Sequence, residues 1–81
     1  GKYNSYPIPT QAELVLESLH SHPIQSVAIF NLDGRLVFER TFTQSGQNQV
    51  LNLGEIQSGV YVIIPTDING NPLTPKHFVK Q

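Results

Sequence analysis

Val27-Ala28-Ile29-Phe30-Asn31-Leu32-Asp33-Gly34-Arg35-Leu36-Val37-Phe38 decides the fold class. Two apolar runs rich in β-branched and aromatic residues flank Asp33-Gly34. A two-residue Asp-Gly connection favours a type I′ turn, because glycine tolerates the positive φ that such a turn demands. The stretch therefore predicts a β-hairpin, with one strand over Gln25–Asn31 and its return over Arg35–Phe42. Val27 and Ile29 share one face of the first strand. Leu36, Phe38 and Phe42 share a face of the second, with Arg40 as the exception.

Working outward, Glu13-Leu14-Val15-Leu16-Glu17 alternates Leu against Glu and Val, the period of a half-buried strand. A short helix from Thr10, with Glu13 at capping-box spacing, is the rival reading, but Pro23 would leave it little more than three turns. On the other side, Thr43 to Asn48 reads as a polar loop and Val50 to Leu53 as a short strand. Gly59-Val60-Tyr61-Val62-Ile63-Ile64 is apolar throughout, as expected of a strand buried on both sides or lying centrally. Pro65 has no N–H for a ladder and must sit at an edge, a bulge or a strand end. Asp67-Ile68-Asn69-Gly70 carries a second turn signal, and Leu73 to Lys80 reads as the last strand. Strands at roughly 8–12-residue spacing predict an all-β, immunoglobulin-like antiparallel β-sandwich of about six to seven strands. Its expected core includes Val27, Ile29, Leu36, Phe38, Leu53, Tyr61 and Ile63.

Composition agrees. Val, Ile and Thr supply 19 of the 81 residues and Ala only 2, which favours strands over helices. At this length the chain is one small domain. Gly1–Ser5 reads as a linker or expression remnant and 6–81 as the folded unit. The net charge of -1 and 14% charged residues give no electrostatic grip on nucleic acid. No apolar run approaches the roughly 20 residues that span a bilayer, and the polar start does not read as a signal peptide. Neither nucleic-acid binding nor direct membrane insertion is expected. Cysteine is absent, so disulfides, Cys-based zinc sites and thiol chemistry are excluded.

Candidate chemistry is sparse. His20 and His22 could face one ion from a strand, yet His77 is the only other imidazole, and zinc takes three or four ligands. Asp67-Ile68-Asn69-Gly70-Asn71 copies the opening of a calcium loop, but Pro72 holds the glycine position and Phe78 that of the bidentate Glu. A turn explains it better. Glu13 and Glu17 read as a solvated edge. No nucleophile-elbow, zinc-protease or phosphate-loop pattern occurs. No enzyme, metal or cofactor is expected. Ile56-Gln57-Ser58-Gly59-Val60-Tyr61 has the form of a tyrosine corner, in which the phenol bonds backbone a few residues upstream. Lys76, Phe78 and Lys80 share one face of the last strand. They read either as edge protection or as an exposed recognition stripe.

Four segments in order resemble a known family: Tyr6-Pro7-Ile8-Pro9, Val27-Ala28-Ile29-Phe30-Asn31-Leu32-Asp33-Gly34-Arg35-Leu36-Val37, Ile56-Gln57-Ser58-Gly59-Val60-Tyr61, and Lys76-His77-Phe78-Val79-Lys80. Together they are similar to the type A carboxy-terminal sorting domain of the Bacteroidetes type IX (Por) secretion system. Its pattern is Tyr-Pro-Asn-Pro, Asp-x-x-Gly-Arg, Leu-Pro-x-Gly-x-Tyr and a terminal Lys-x-x-x-Lys. Ile8, Asn31 and Gln57 depart from it, and Pro65 interrupts a strand that the family continues, which bears on that strand's length and pairing. The resemblance implies a folded export signal for a parent cargo protein lying before Gly1. It further implies partners in the outer-membrane translocon and in a sortase-like cysteine protease that removes the domain. Transit would run through the periplasm to the outer membrane, cell surface or medium. Translocon recognition is expected of Lys76, Phe78, Val79 and Lys80; Tyr6, Pro7, Pro9, Gly34, Arg35, Gly59 and Tyr61 are expected to be mainly structural. The rivals are a small carbohydrate-binding or adhesive sandwich, which needs exposed aromatics, and a passive immunoglobulin-like spacer.

Overall fold

Seven strands form among the described residues, several of them where apolar residues recur with period two. A computed structural model describes residues 3–6, 12–18, 23–46 and 48–81. The strands are β1 (Tyr3–Tyr6), β2 (Glu13–Ser18), β3 (Ile24–Asn31), β4 (Leu36–Gly46), β5 (Asn48–Asn52), β6 (Gly59–Asp67) and β7 (Lys76–Lys80). They make two antiparallel sheets, ordered β1-β2-β5 and β4-β3-β6-β7. This is the expected all-β sandwich. Glu13–Glu17 is strand and not helix, with Leu14 and Leu16 fully buried.

The core lies between the sheets. Leu14, Leu16, Leu51 and Leu53 reach in from one side; Val27, Ile29, Tyr61, Ile63 and Phe78 meet them from the other. Each fully buried aliphatic side chain stabilises the fold by about 1.5–3 kcal/mol relative to exposure. Phe38 packs only partly against this cluster. Leu36, expected in the core, is 45% exposed. The cause is a register shift between Ile29 and Phe30, which pair with Phe38 and Leu36, so Val37 is extra in β4. The extra residue turns Leu36 to the outer face, beside Phe30. β4 also runs on to Gly46, through residues read as loop. As an edge strand it carries polar residues there without cost.

The first turn differs from a two-residue type I′ connection. The Gly34 N–H donates to the Asn31 carbonyl at 3.0 Å, so the turn is centred on Leu32-Asp33, and Gly34 follows at φ 84°. This is a three-residue loop with the glycine in the left-handed position. The second turn repeats it. Gly70, also at φ 84°, donates to the Asp67 carbonyl at 3.0 Å. In both loops the first side chain closes the turn. Asn31 Oδ1 accepts from the Asp33 and Arg35 amides, as Asp67 Oδ1 does from Asn69 and Asn71. The Asp67 loop is thus built as a turn, with its carboxylate engaged by backbone.

Pro65 lies within β6, paired with Val27 of β3. Its carbonyl accepts the Leu73 N–H at 2.8 Å. The nitrogen and carbonyl of one residue point to the same side of a strand. The missing donor therefore faces residues 72–75, before β7 begins, and β3 loses no bond. The cost falls on β7, which starts at Lys76 and not at Leu73.

β1 contains Tyr3 to Ser5, the residues read as linker, and pairs Tyr3 with Ser18 and Tyr6 with Val15. Tyr3 is 1% exposed. A polar segment joins the sheet because its one large ring is buried. Gly1, Lys2, Pro7, Pro9, Thr10, His20 and His22 lie outside the described residues. Truncation of Ile63 to Ala should cost about 2–5 kcal/mol in urea unfolding, and of Leu36 to Ala under about 1 kcal/mol. Equal losses would contradict this placement of the core.

Candidate recognition surface

The terminal strand shows which face a recognition residue occupies. The register pairs Tyr61 with Phe78, Ile63 with Lys76 and Gly59 with Lys80. Because Tyr61 and Ile63 point into the core, so do the residues opposite them. Phe78 is 1% exposed and stacks on Tyr61 with ring centroids 5.8 Å apart. Lys80 is 7% exposed, its Nζ donating to the Gln81 carbonyl at 2.9 Å. Lys76 is half-buried, with Nζ 4.6 Å from the Tyr3 ring centroid and donating to the Tyr3 carbonyl. Lys76, Phe78 and Lys80 do share a face, but it is the inner one, where the aliphatic stems add to the core. Contrary to expectation, they form no exposed lysine stripe on β7, because the register with β6 turns them inward. Of the four residues assigned to recognition, Val79 alone is solvent-facing, at 40% exposure.

The 31–35 and 56–61 motif segments meet at one end of the sandwich. Asn31 pairs with Tyr61 and Gly59 with Lys80, so the 31–35 turn, the start of β6 and the end of β7 lie together. Tyr61 Oη donates to the Gln57 carbonyl at 2.6 Å, the tyrosine corner expected from the spacing, and this pins residues 54–58 over the same end. A shallow cleft of about 290 Å³ is lined there by Asn31, Arg35, Val37, Glu55, Ile56, Gln57 and Tyr61. A neighbouring cleft of about 340 Å³ continues along β4 past Phe38, Asn52 and Leu53. Arg35 and Glu55 are exposed at this rim. Gly34 holds the left-handed position of its turn, and Gly59 lies against the Tyr61 ring, 3.6 Å from where a Cβ would sit.

From this end an apolar surface spreads over the outer face of the four-stranded sheet. Leu36, Val60 and Val79 are 45%, 42% and 40% exposed, with Phe30, Val62 and Ile64 half-buried between them. The β6 run is apolar because it lies centrally, between β3 and β7, and not because it is buried on both sides: Val60 is exposed, and Val62 and Ile64 are half-buried. The signal for this surface was present in the unbroken apolarity of residues 60–64.

Among the described residues no group of three or more His, Asp or Glu is placed to hold a metal ion. The burial of Tyr3 pushes its phenol pKa well above the usual tyrosine value, so the ring stays neutral. The chain matches the family described as Secretion system C-terminal sorting domain over residues 4–80. It belongs to that family, the sorting domains of type IX secretion. No curated protein matches it. Membership makes it a secretion sorting signal that interacts with the type IX machinery, for cargo that crosses the outer membrane.

Changing Tyr61 to Phe removes the bond to Gln57 and nothing else. It should lower stability by about 1–2 kcal/mol and speed amide exchange in residues 54–58 before the rest of β6. Unchanged exchange in that loop would remove the corner's role in shaping this end.

Proposed function

We propose that the domain is read, folded, by the outer-membrane type IX translocon through the end of the sandwich where Arg35, Glu55 and Gln57 meet the apolar face at Val60 and Val79. One observation carries this reading: motif segments distant in sequence line a single cleft, as Asn31 and Arg35 do with Ile56, Gln57 and Tyr61. Core formation does not require Arg35 or Val79 to be solvent-facing, so their exposure leaves them available to a partner. Lys76, Phe78 and Lys80 act in recognition by fixing β7 from within, and Val79 is the part of that strand a partner touches. Before translocation the cargo and its signal reside in the periplasm. Afterwards a sortase-like cysteine protease removes the domain, and the cargo reaches the cell surface or the medium. The 6–81 unit then takes in β1 as well, because Tyr3 belongs to the fold.

A carbohydrate-binding reading needs rings on the surface. Tyr3, Phe42, Tyr61 and Phe78 are buried, and Phe30 and Phe38 are half-buried. No described aromatic side chain offers a stacking platform.

The two glycine turns provide a matched control. They share one geometry, lie at opposite ends, and each exposes an aliphatic residue, Leu32 at 64% and Ile68 at 52%. In a host with type IX machinery, a passenger fused to the domain should lose about tenfold or more in export with Arg35→Glu plus Val79→Asp. That corresponds to about 1.4 kcal/mol or more of lost binding. Ile68→Asp should leave export near normal, and all variants should keep the wild-type circular dichroism. Normal export by the folded Arg35/Val79 variant would overturn the assignment.

A further inference from the structure

β1 is four residues long and pairs with a single strand, β2. Such a segment alone is a weak attachment, because a short edge strand gains few ladder bonds for the entropy it loses. Its anchor is Tyr3, and Tyr3 reaches away from its own sheet. The phenol donates to the Ile63 carbonyl of β6 at 3.3 Å. The ring lies under Lys76 Nζ of β7 at 4.6 Å, and the Tyr3 carbonyl accepts a hydrogen bond from the same ammonium. Asn4, the next residue, is exposed, and its side chain donates to Glu17 at 3.3 Å across the β1–β2 ladder. Besides its ladder with β2, β1 is therefore tied to the opposite sheet through Tyr3.

Lys76 is engaged twice by one residue, as a cation over a ring and as a donor to a carbonyl. A freely solvated lysine on a strand edge does neither. Ser18, directly opposite Tyr3 in β2, is buried, and its hydroxyl finds no hydrogen-bond partner among the described residues. Within its own sheet Tyr3 thus faces an unsatisfied polar group, which puts still more weight on the cross-sheet contacts.

We infer that Tyr3 and Lys76 form a latch between β1 and β7, the edge strands on one side of the sandwich, so that each strand stays docked only while the other does. Lys76 is then a positioning residue that acts through Tyr3. A partner that draws β7 from its sheet frees β1, and a pull on β1 loosens β7, because coupling between two sites is reciprocal. The inference rests on this geometry alone and stands whether or not the translocon reads the far end of β7.

Residue-resolved amide exchange by NMR tests it on the wild-type chain and on Lys76→Met, Lys76→Arg and Tyr3→Leu. Lys76→Met keeps the aliphatic stem and loses the charge. It should speed exchange at Asn4 to Tyr6 by about tenfold, while Ile29 and Ile63 stay within about twofold of wild type. Tyr3→Leu should speed exchange at His77 and Val79 by a similar factor, and Lys76→Arg should restore β1 protection. Combining Lys76→Met with Tyr3→Leu should add little to either alone. Unchanged β1 exchange in Lys76→Met would overturn the latch. So would an equal rise across β1, β3 and β6, or unfolding of both variants, since Lys76 and Tyr3 would then be ordinary contributors to global stability.

Discussion

β6 lies between β3 and β7, and its ladder decides what every other element presents. Val27 and Ile29 pair with Pro65 and Ile63, while Phe78 and Lys76 pair with Tyr61 and Ile63. Once Tyr61 and Ile63 face the opposing sheet, the side-chain period of two sends Phe78 and both lysine stems inward and Val79 outward. Slipping β7 by one residue would expose Phe78 and bury His77. The exact register is therefore a condition for the domain's surface as well as for its core. Pro65 fits because its missing donor faces the side on which β7 has not yet begun.

Much of this was legible in the chain. The strands around Asp33-Gly34, the Leu14 and Leu16 alternation and the Tyr61 corner rest on local period and spacing, which survive folding unchanged. What escaped depends on long-range registration. The extra residue opposite Ile29 and Phe30 turned Leu36 outward, and nothing local in Arg35-Leu36-Val37 marks it. β1 escaped because Lys2-Tyr3-Asn4-Ser5 has one apolar ring and no alternation; Tyr3 becomes core only once the opposite sheet meets it. Lys76 and Lys80 were correctly placed on one face, but whether that face is inner or outer follows from the β6 pairing.

Lysines with buried stems and engaged ammonium groups are poor freely offered charges, and they hold β7 in place. The surface left for a partner is the motif-lined end with Arg35 and Glu55, continuous with the apolar outer face from Val60 to Leu36. A partner meeting that face gains from burying aliphatic area, while the rim charges set orientation and encounter. The opposite end carries a loop of the same geometry, and among the described residues the 31–35 and 56–61 segments do not reach it.

Site-specific photo-cross-linking in cells that carry type IX machinery tests the central claim most directly. A photoreactive residue at position 35 or 79 of a folded, exported fusion should form adducts with the outer-membrane machinery, and one at position 68 should not. Adducts from position 68 with none from 35 or 79 would contradict recognition through the motif-lined end.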